Sequence, residues 1–384
     1  MINYKFKSFK RKLNKKLTNN LLIYIFKKKN NFLISKKKKI AIYGMGSLGQ
    51  DAMEYLKFHS EYKLKLIDKY KKFFKKEEVL HPDRVNKNFK KNYTLMVCIV
   101  NFPFKKIYNN LKKKKWREIF HFYDYINFQK IKHPLDNGWF IGELSKIEQN
   151  KISNIANDFW SDLYSLKHYI QFLAWKKCRE EWLFMNSKID NDNRFFINQI
   201  INNLSTKETF IDVGAHKCSV SKKFIDYTNN KFNKIFLIEP DNENFFDIKK
   251  FINKNSKNKK KIFLIKKVIS NNISKQKFFN GLNYSSQLSK FGNKTFKTTT
   301  IDNLNLKPTF IKFHIEGNEL KALKGSLNTI KKYRPKLVLT AYHNSDIVYK
   351  IPLWLKKNLM NYKFYFRLHS WCGSGAVIYC VPNK

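Results

Sequence analysis

The sequence has 384 residues and contains 77 Lys and Arg against 29 Asp and Glu, a formal net charge of +48. A hydrophobic fraction of 43% with 16% aromatic residues excludes a wholly disordered chain, because such a composition can fill buried cores. The positive charge alone is compatible with a membrane surface or nucleic acid. However, the lysines are spread along the chain, and the aromatic residues do not alternate with them as stacking platforms do. We therefore do not expect nucleic-acid binding.

The first 38 residues form a basic arm with one short apolar run, Leu21 to Phe26, which is far too short to span a bilayer. Two interpretations remain open: peripheral contact with anionic lipid at the inner face of the membrane, and a solvated, partly helical leader. The five cysteines are odd in number and include no C-x-x-C pair, which argues against disulfides or a zinc site. We expect a cytoplasmic protein.

Residues 39–130 alternate between apolar runs and helical patterns, which predicts a Rossmann-like domain with a parallel sheet. Gly44, Gly46 and Gly49 form a complete G-x-G-x-x-G between a strand (Ile40 to Tyr43) and a helix. Asp68 follows the next strand, where a ribose-binding acid is found in dinucleotide-binding domains. The motif indicates either a site for a dinucleotide or nucleotide sugar, or a degenerate structural unit that docks a partner.

Residues 131–194 are predicted to be an aromatic-rich helical connector, and the sequence pattern from Glu143 to Met185 is typical of helices. The breaks at His133-Pro134 and at 136–138 mark its start. The aromatic residues of this segment are interpreted as hydrophobic core that packs against a larger neighbouring domain.

A second Rossmann-like three-layer domain is predicted at 195–384, with seven strands and four helices. Its last two strands have no helix between them, which predicts an antiparallel hairpin closing the sheet. The strands are predicted at Glu208–Val213, Lys234–Ile238, Lys261–Ile265, Thr309–Ile315, Lys336–Ala341, Lys363–Leu368 and Ala376–Val381. The helices are predicted at Ser219–Thr228, Asn242–Asn255, Glu319–Lys331 and Asp346–Leu359.

The segment TFIDVGAHKCS carries the strongest local signal, because a buried strand ends at Asp212 and a turn begins at Gly214. A glycine there allows close approach of the backbone to a ligand at a helix N-terminus. The next strand ends at Glu239, where a carboxylate can accept both hydroxyls of a ribose. Together the two features favour a nucleoside-binding site over a helix cap and a solvated strand end.

Further motifs follow in order: FKTTTIDNL, FIKFHIEGNELKALKGS and RPKLVLTAYH. With the preceding segments, they resemble the FkbM family of Rossmann-like methyltransferases over about Thr209 to Pro335. The resemblance implies an S-adenosylmethionine-dependent O-methyltransferase with a seven-stranded sheet. It also implies an acceptor that is a sugar hydroxyl of a glycan, glycolipid or nucleotide-sugar precursor.

The resemblance further implies roles for individual residues at the cofactor and at the acceptor. Those at the methionine end and in its turn are Asp212, Gly214, Ala215, His216 and Cys218. Glu239 and Pro240 are implied at the ribose, and Ser270 and Asn271 at the adenine edge. The residues facing the acceptor are Lys312, His314, Glu316 and Glu319, and the candidate bases are His314, Glu316 and His343.

Two positions depart from the family pattern: Cys218 replaces a glycine, and His314 replaces an aspartate. The first is expected to narrow the cofactor turn, and the second either supplies a different base or marks altered activity. Two other functions remain open. One is an enzyme that uses NAD or a nucleotide sugar at the N-terminal glycine motif, and the other is a non-catalytic basic surface or nucleic-acid-binding protein. The sequence makes no prediction about a metal.

Overall fold

The computed structural model describes residues 4–29, 38–58, 61–74, 76–129, 133–135, 138–281 and 285–383. The strands in this part of the chain are β1 (Lys5–Phe9), β2 (Lys39–Tyr43), β3 (Lys63–Ile67), β4 (Phe73–Phe74), β5 (Glu77–Leu80), β6 (Thr94–Val97), β7 (Ile119–His121), β8 (Glu180–Phe184), β9 (Thr209–Val213), β10 (Lys234–Ile238), β11 (Ile262–Ile265), β12 (Val268–Ile269), β13 (Lys275–Phe279), β14 (Gln287–Leu288), β15 (Lys294–Thr299), β16 (Phe310–Phe313), β17 (Lys336–Thr340), β18 (Tyr362–Leu368) and β19 (Ala376–Pro382). The α-helices are α1 (Lys15–Lys27), α2 (Ser47–Phe58), α3 (Lys87–Asn92), α4 (Phe104–Lys113), α5 (Phe122–Gln129), α6 (Lys146–Asp158), α7 (Leu163–Leu173), α8 (Asn198–Ile201), α9 (Ser219–Tyr227), α10 (Asn242–Lys254), α11 (Glu319–Lys324), α12 (Leu327–Tyr333) and α13 (Ile347–Asn358).

The N-terminal sheet has the order β4-β5-β3-β2-β6-β7, and all its pairs except β4–β5 are parallel. Its central strands are apolar runs because both faces are covered. Ala52, Met53 and Leu56 of α2 are buried, so the apolar face of the helix after the glycine motif packs inward. The edge strand β7 is short, since α5 begins directly after it at Phe122.

The C-terminal sheet has the order β11-β10-β9-β16-β17-β19-β18. Its first five strands are parallel, and β19 runs antiparallel to both β17 and β18. The predicted class of two α/β domains with a closing antiparallel hairpin is therefore confirmed. The predicted helix Glu319–Lys331 is divided into α11 and α12, and the turn between them includes Gly325, where a Cβ would lie 2.2 Å from the Ser270 carbonyl oxygen.

A small four-stranded sheet, β12-β15-β13-β14, is inserted between β11 and β16 and was not predicted. Asp241 connects it to the main domain. This side chain caps α10 through the amide of Glu243 at 2.9 Å, and it accepts hydrogen bonds from the Gly281 amide at 3.2 Å and from Ser286 Oγ at 3.0 Å. The inserted sheet thus lies at the carboxyl end of β10.

The amino-terminal arm is a folded part of the protein. Strand β1 pairs in parallel with β8, and Leu22 and Ile25 of α1 are buried. The prediction of a solvated leader is therefore wrong for residues 4–29, because the apolar face of its helix packs on the protein. Contact of this arm with anionic lipid stays a prediction.

The predicted helical connector contains α6, α7 and a π-helical turn at Ala174–Cys178, but its last part is the strand β8. The prediction of helix up to Met185 was wrong because β8 is defined by a partner far away in the sequence, which a local pattern does not reveal. Tyr169 and Phe172 of α7 are buried, and Tyr169 and Phe172 contact Phe366 of β18, which agrees with the core interpretation.

The predicted boundary at 130/131 and the break at residues 136 and 137 lie outside the described residues, and the domain limits stay predictions. No helix in the described ranges is both long and apolar enough to cross a membrane.

Candidate active site

A cavity of about 470 Å³ opens at the carboxyl ends of β9, β10 and β16. This is the edge at which parallel α/β sheets bind ligands. The cavity is bounded on one side by the C-terminal sheet and on the other by α2 and α5 of the N-terminal domain. Both domains therefore contribute to one site.

The turn after β9 brings backbone to the cavity wall. Gly214 has φ +77, and a Cβ on it would lie 2.0 Å from the His314 carbonyl oxygen. The amides of Gly214 and Ala215 donate to Ile238 O at 2.9 and 3.1 Å, which joins the turn to β10. Gly214, Ala215 and His216 all line the cavity, as the sequence predicts.

Asp212 does not face the cavity. Its side chain is fully buried and accepts hydrogen bonds from Lys312 Nζ at 2.8 Å and Ser221 Oγ at 2.7 Å. Lys312 Nζ also donates to the Gly214 carbonyl oxygen at 2.8 Å. The Asp212–Lys312 ion pair thus supports the Gly214 turn from the buried side. Asp212 thus lies outside the cavity lining, whereas Lys312 reaches it, and the contact of Asp212 with the methionine end stays a prediction.

Glu239 lines the cavity at the end of β10, next to Pro240. Its Oε2 accepts from the His216 amide at 2.8 Å, and its Oε1 accepts from the Asp241 amide at 3.0 Å. Burial raises the pKa of Glu239 to about 7, although these two amides favour its charged form. The carboxylate is thus held in one orientation with oxygen atoms beside the cavity.

Cys218 does not narrow the cavity. It has φ 62 and is the residue before α9, which explains why a glycine suits this position. Its side chain is fully buried in the apolar cluster that contains Phe210 and Phe224. The expectation of a restricted cofactor turn is wrong because the Cys218 side chain points away from the cavity.

Ser270 and Asn271 do not line the cavity either. They follow β12, where the Ser270 amide donates to the Thr299 carbonyl oxygen at 2.9 Å within the inserted sheet. Val268 and Ile269, just before them, contribute apolar wall instead. The position of Ser270 and Asn271 at the adenine edge stays a prediction.

Two histidines flank Glu316 at the end of β16. His314 Nε2 lies 3.0 Å from Glu316 Oε1 and 2.9 Å from the Tyr342 hydroxyl, and His343 Nε2 lies 2.9 Å from Glu316 Oε2. The three predicted candidate bases are therefore brought together. His343 Nδ1 also lies 3.6 Å from Glu319 Oε1, and Glu319 accepts from the Gly317 amide at 2.9 Å outside the cavity lining.

At pH 7 no member of this cluster is a strong proton acceptor, because His343 already carries its proton and His314 and Glu316 bind a proton only weakly. Burial lowers the pKa of His314 to about 4, so its imidazole is neutral at pH 7. Burial alone would lower the pKa of His343, but Glu316 and Glu319 raise it to about 9. Burial would likewise raise the pKa of Glu316, yet the two histidines hold it well below its usual value. The cluster is therefore a buried ion pair with a neutral histidine beside it.

Arg194 was not predicted from the sequence and lines the cavity near this cluster. Its Nη2 donates to the Tyr342 hydroxyl at 2.9 Å, and its guanidinium lies over the Phe195 ring, 4.9 Å from the centroid. No motif marks it, because it lies in irregular chain before α8.

The N-terminal glycine motif makes the predicted turn. Gly44 has φ +97, and a Cβ on Gly49 would lie 2.0 Å from the Gly44 carbonyl oxygen. Asp68 Oδ2 accepts from the Met45 amide at 2.7 Å, and its Oδ1 accepts from the Tyr70 and Lys71 amides. The acid predicted to hold a ribose thus bonds to the protein's own backbone, and Gly44, Gly46, Gly49 and Asp68 do not line the cavity.

Within the described ranges, no three His, Cys, Asp or Glu side chains are arranged to hold a metal ion.

Comparison with known proteins identifies the C-terminal domain. The sequence pattern described as the methyltransferase FkbM domain matches residues 212–364. A structure titled Methyltransferase FkbM from Methylobacillus flagellatus KT is similar with a TM-score of 0.63 and 15% identity, covering 96% of this chain and 100% of that one. That likeness shows a shared fold over nearly the whole length.

A precorrin-6y C5,15-methyltransferase from Geobacter metallireducens GS-15 is also similar, at 12% identity with a TM-score of 0.31, covering 50% of this chain and 92% of that one. A TM-score of 0.31 is too low to show a shared fold. No curated protein matches the sequence.

The matched pattern runs from the end of β9 to the start of β18, and this range contains the glycine turn, Glu239 and the Glu316 cluster. Residues 212–364 therefore form a methyltransferase domain of the FkbM family, a family dependent on S-adenosylmethionine.

Proposed function

We propose that the protein transfers a methyl group from S-adenosylmethionine to a hydroxyl oxygen, and that the acceptor is a sugar of a glycan, glycolipid or nucleotide-sugar precursor. The observation that carries the proposal is the joint presence of the Gly214 turn and the Glu239 carboxylate on one cavity wall. A cytoplasmic location stays part of this proposal.

The residues present fit the cofactor. Glu239 would accept hydrogen bonds from the two ribose hydroxyls, and its backbone amide partners keep it oriented for them. Gly214 and Ala215 would lie against the methionine end, where a side chain on Gly214 could not be accommodated. Val268 and Ile269 would cover the adenine ring with apolar surface.

The cofactor supplies an electrophilic methyl group on a sulfonium. The protein must therefore align an acceptor oxygen with that methyl carbon and remove the proton of the hydroxyl. The acceptor would bind at the carboxyl end of β16, where the Glu316 cluster and Arg194 form the cavity wall next to the Gly214 turn.

Two measurements test the proposal. Isothermal titration with S-adenosylhomocysteine should show binding that is at least 10-fold weaker in Glu239→Gln, because hydrogen bonds to a charged group contribute about 1.5–3 kcal/mol. Incubation of nucleotide-sugar and glycolipid pools with methyl-deuterated S-adenosylmethionine should add one labelled methyl to a sugar. Absence of S-adenosylhomocysteine binding, or transfer only to nitrogen or carbon, would contradict the proposal.

The family assignment favours this function over the two alternatives. The glycine motif and Asp68 also lie outside the cavity that Glu239 lines, which favours the proposed function over an NAD-dependent or nucleotide-sugar-dependent reaction in the N-terminal domain.

A further inference from the structure

The helix that follows the N-terminal glycine turn forms part of the C-terminal domain's cavity. Ser47, Leu48 and Asp51 lie within one turn of α2, and all three line the cavity. Residues at positions i and i+4 of a helix project from the same face, so Ser47 and Asp51 are neighbours on that wall. The N-terminal domain thus supplies polar groups to a site whose cofactor wall belongs to the other domain.

Asp51 also contacts the C-terminal domain directly. Its Oδ2 accepts a hydrogen bond from Ser285 Oγ at 3.2 Å, and the two residues are 234 positions apart in the sequence. Ser285 lies in the segment before β14, next to the Ser286 hydroxyl that is bonded to Asp241. The carboxylate is therefore placed between the two domains at the cavity edge.

Three carboxylates that line the cavity differ in what holds them. Glu239 accepts from two backbone amides, and Glu316 lies between two histidines. Asp51 accepts a hydrogen bond from the Ser285 hydroxyl, and no positive charge among the described residues lowers its pKa. Asp51 is thus the carboxylate whose charge the protein compensates least.

The surroundings of Asp51 bring its pKa close to neutral pH. Burial, together with the charge of Glu316, raises the pKa of Asp51 to about 8, and the Ser285 hydroxyl opposes this rise. The other titratable groups that face it are Glu54 on its own helix, Cys98 after β6 and Tyr123 on α5. A general base is most effective when its pKa is close to the working pH.

We propose that Asp51 is the acceptor-side carboxylate of the methyl transfer: it accepts the hydrogen bond of the acceptor hydroxyl and takes its proton. The inference rests on the proposed function. The acceptor oxygen forms a bond to the methyl carbon while the bond between that carbon and sulfur breaks. The bonding pair stays on sulfur, which becomes the thioether of S-adenosylhomocysteine, and the hydroxyl proton goes to the carboxylate of Asp51.

The N-terminal domain then has a defined task in the reaction. In its glycine turn the Met45 amide donates a hydrogen bond to Asp68. The helix α2, which follows this turn, carries the carboxylate that binds the acceptor. The fold keeps the shape of a nucleotide-binding unit and presents one acid to the neighbouring domain.

The test uses the full chain with Asp51→Asn, Asp51→Glu and a control, Glu78→Gln, which changes an exposed acid on β5 of the same domain, outside the cavity lining. Isothermal titration with S-adenosylhomocysteine comes first. Binding within threefold of the unmodified protein is expected for all three variants, and it also shows that each is folded. A loss in Asp51→Asn as large as in Glu239→Gln would overturn the proposal, because Asp51 would then serve the cofactor.

Rates of labelled methyl incorporation into the nucleotide-sugar and glycolipid pools come second. We expect Asp51→Asn to reduce the rate at least 100-fold, as general bases contribute about 10²–10⁴-fold. We expect partial activity in Asp51→Glu and an unchanged rate in Glu78→Gln. The rate should rise with pH through the pKa of Asp51, and the residual rate of Asp51→Asn should lose this rise.

The outcomes separate the two claims. A full rate in Asp51→Asn with normal cofactor binding overturns the role of Asp51 and leaves the proposed function intact. A reduced rate with an unchanged pH profile assigns the proton to another group and also overturns it. Failure of the unmodified protein to bind S-adenosylhomocysteine or to methylate either pool removes the proposed function, and this inference falls with it.

Discussion

Lys312 Nζ lies 2.8 Å from Asp212 Oδ1, and the side chains of both residues are at most 1% exposed. The parallel register of β9 and β16 pairs these two positions directly. Removal of one charge leaves the other buried without compensation, which costs about 3–5 kcal/mol.

We therefore expect Lys312→Met to lower the free energy of unfolding by about 3–5 kcal/mol in urea titrations. The double variant Lys312→Met/Asp212→Asn should recover at least half of that loss, because both charges are then removed together. Equal losses in the single and double variants would show that packing, and not the charge, is responsible.

The ribose acid has a close control on the following helix. Glu239 lines the cavity, whereas Glu243 lies in the first turn of α10 outside its lining. Glu239→Gln should weaken S-adenosylhomocysteine binding at least 10-fold, and Glu243→Gln should change it less than twofold. Calorimetry at pH 8, above the raised pKa of Glu239, compares the charged carboxylate with the amide.

The two glycine turns should respond differently to alanine. A Cβ on Gly214 would overlap the His314 carbonyl oxygen, and the residue has φ +77, whereas a Cβ on Gly46 meets nothing within 4 Å. Gly214→Ala should therefore abolish detectable S-adenosylhomocysteine binding and lower the melting temperature.

Gly46→Ala should leave both unchanged, within about 0.5 kcal/mol in stability. Loss of S-adenosylhomocysteine binding in Gly46→Ala would contradict the assignment of the cofactor to the C-terminal domain.

The pair of His343 and Glu316 predicts a pH dependence of stability. The pKa of His343 is raised to about 9 in the folded protein, above its ordinary value of 6.5, so the folded state holds this proton more tightly than the unfolded chain. Its contribution is fully present below pH 6.5 and is lost as the pH rises to about 9.

His343→Gln should remove that decrease, which amounts to about 2–3 kcal/mol. Denaturant titrations at pH 6, 7.5 and 9 measure it, with the more exposed His81→Gln as the control. A parallel decrease in both variants would assign the pH dependence to other groups.

Much of the C-terminal sheet follows from local sequence. The strand predicted at Lys234–Ile238 is the observed β10, and the carboxylate after it lies in the cavity as expected. Here the apolar run, the acid and the following helix cap all indicate one structure, so the local pattern is sufficient.

The remaining errors arise where distant segments decide the structure. The segment at Glu180–Phe184 is a strand because β1 pairs with it, and Asp212 is buried because Lys312 is its neighbour across the sheet. Asp51 appears in the sequence only as a polar position on an amphipathic helix. Its place at the cavity depends on how two domains pack, which no single-segment pattern contains.

The parallel pairing of β1 with β8 has a consequence for biosynthesis. About 175 residues separate the two strands, so the first leaves the ribosome roughly 9–35 s before its partner at ordinary elongation rates of 5–20 residues per second. During that interval the early strand has no edge to join, although the sheet beside it can already close. The nascent chain thus carries an unpaired β-segment until β8 has been translated, and this is the stage at which a chaperone would be of greatest use.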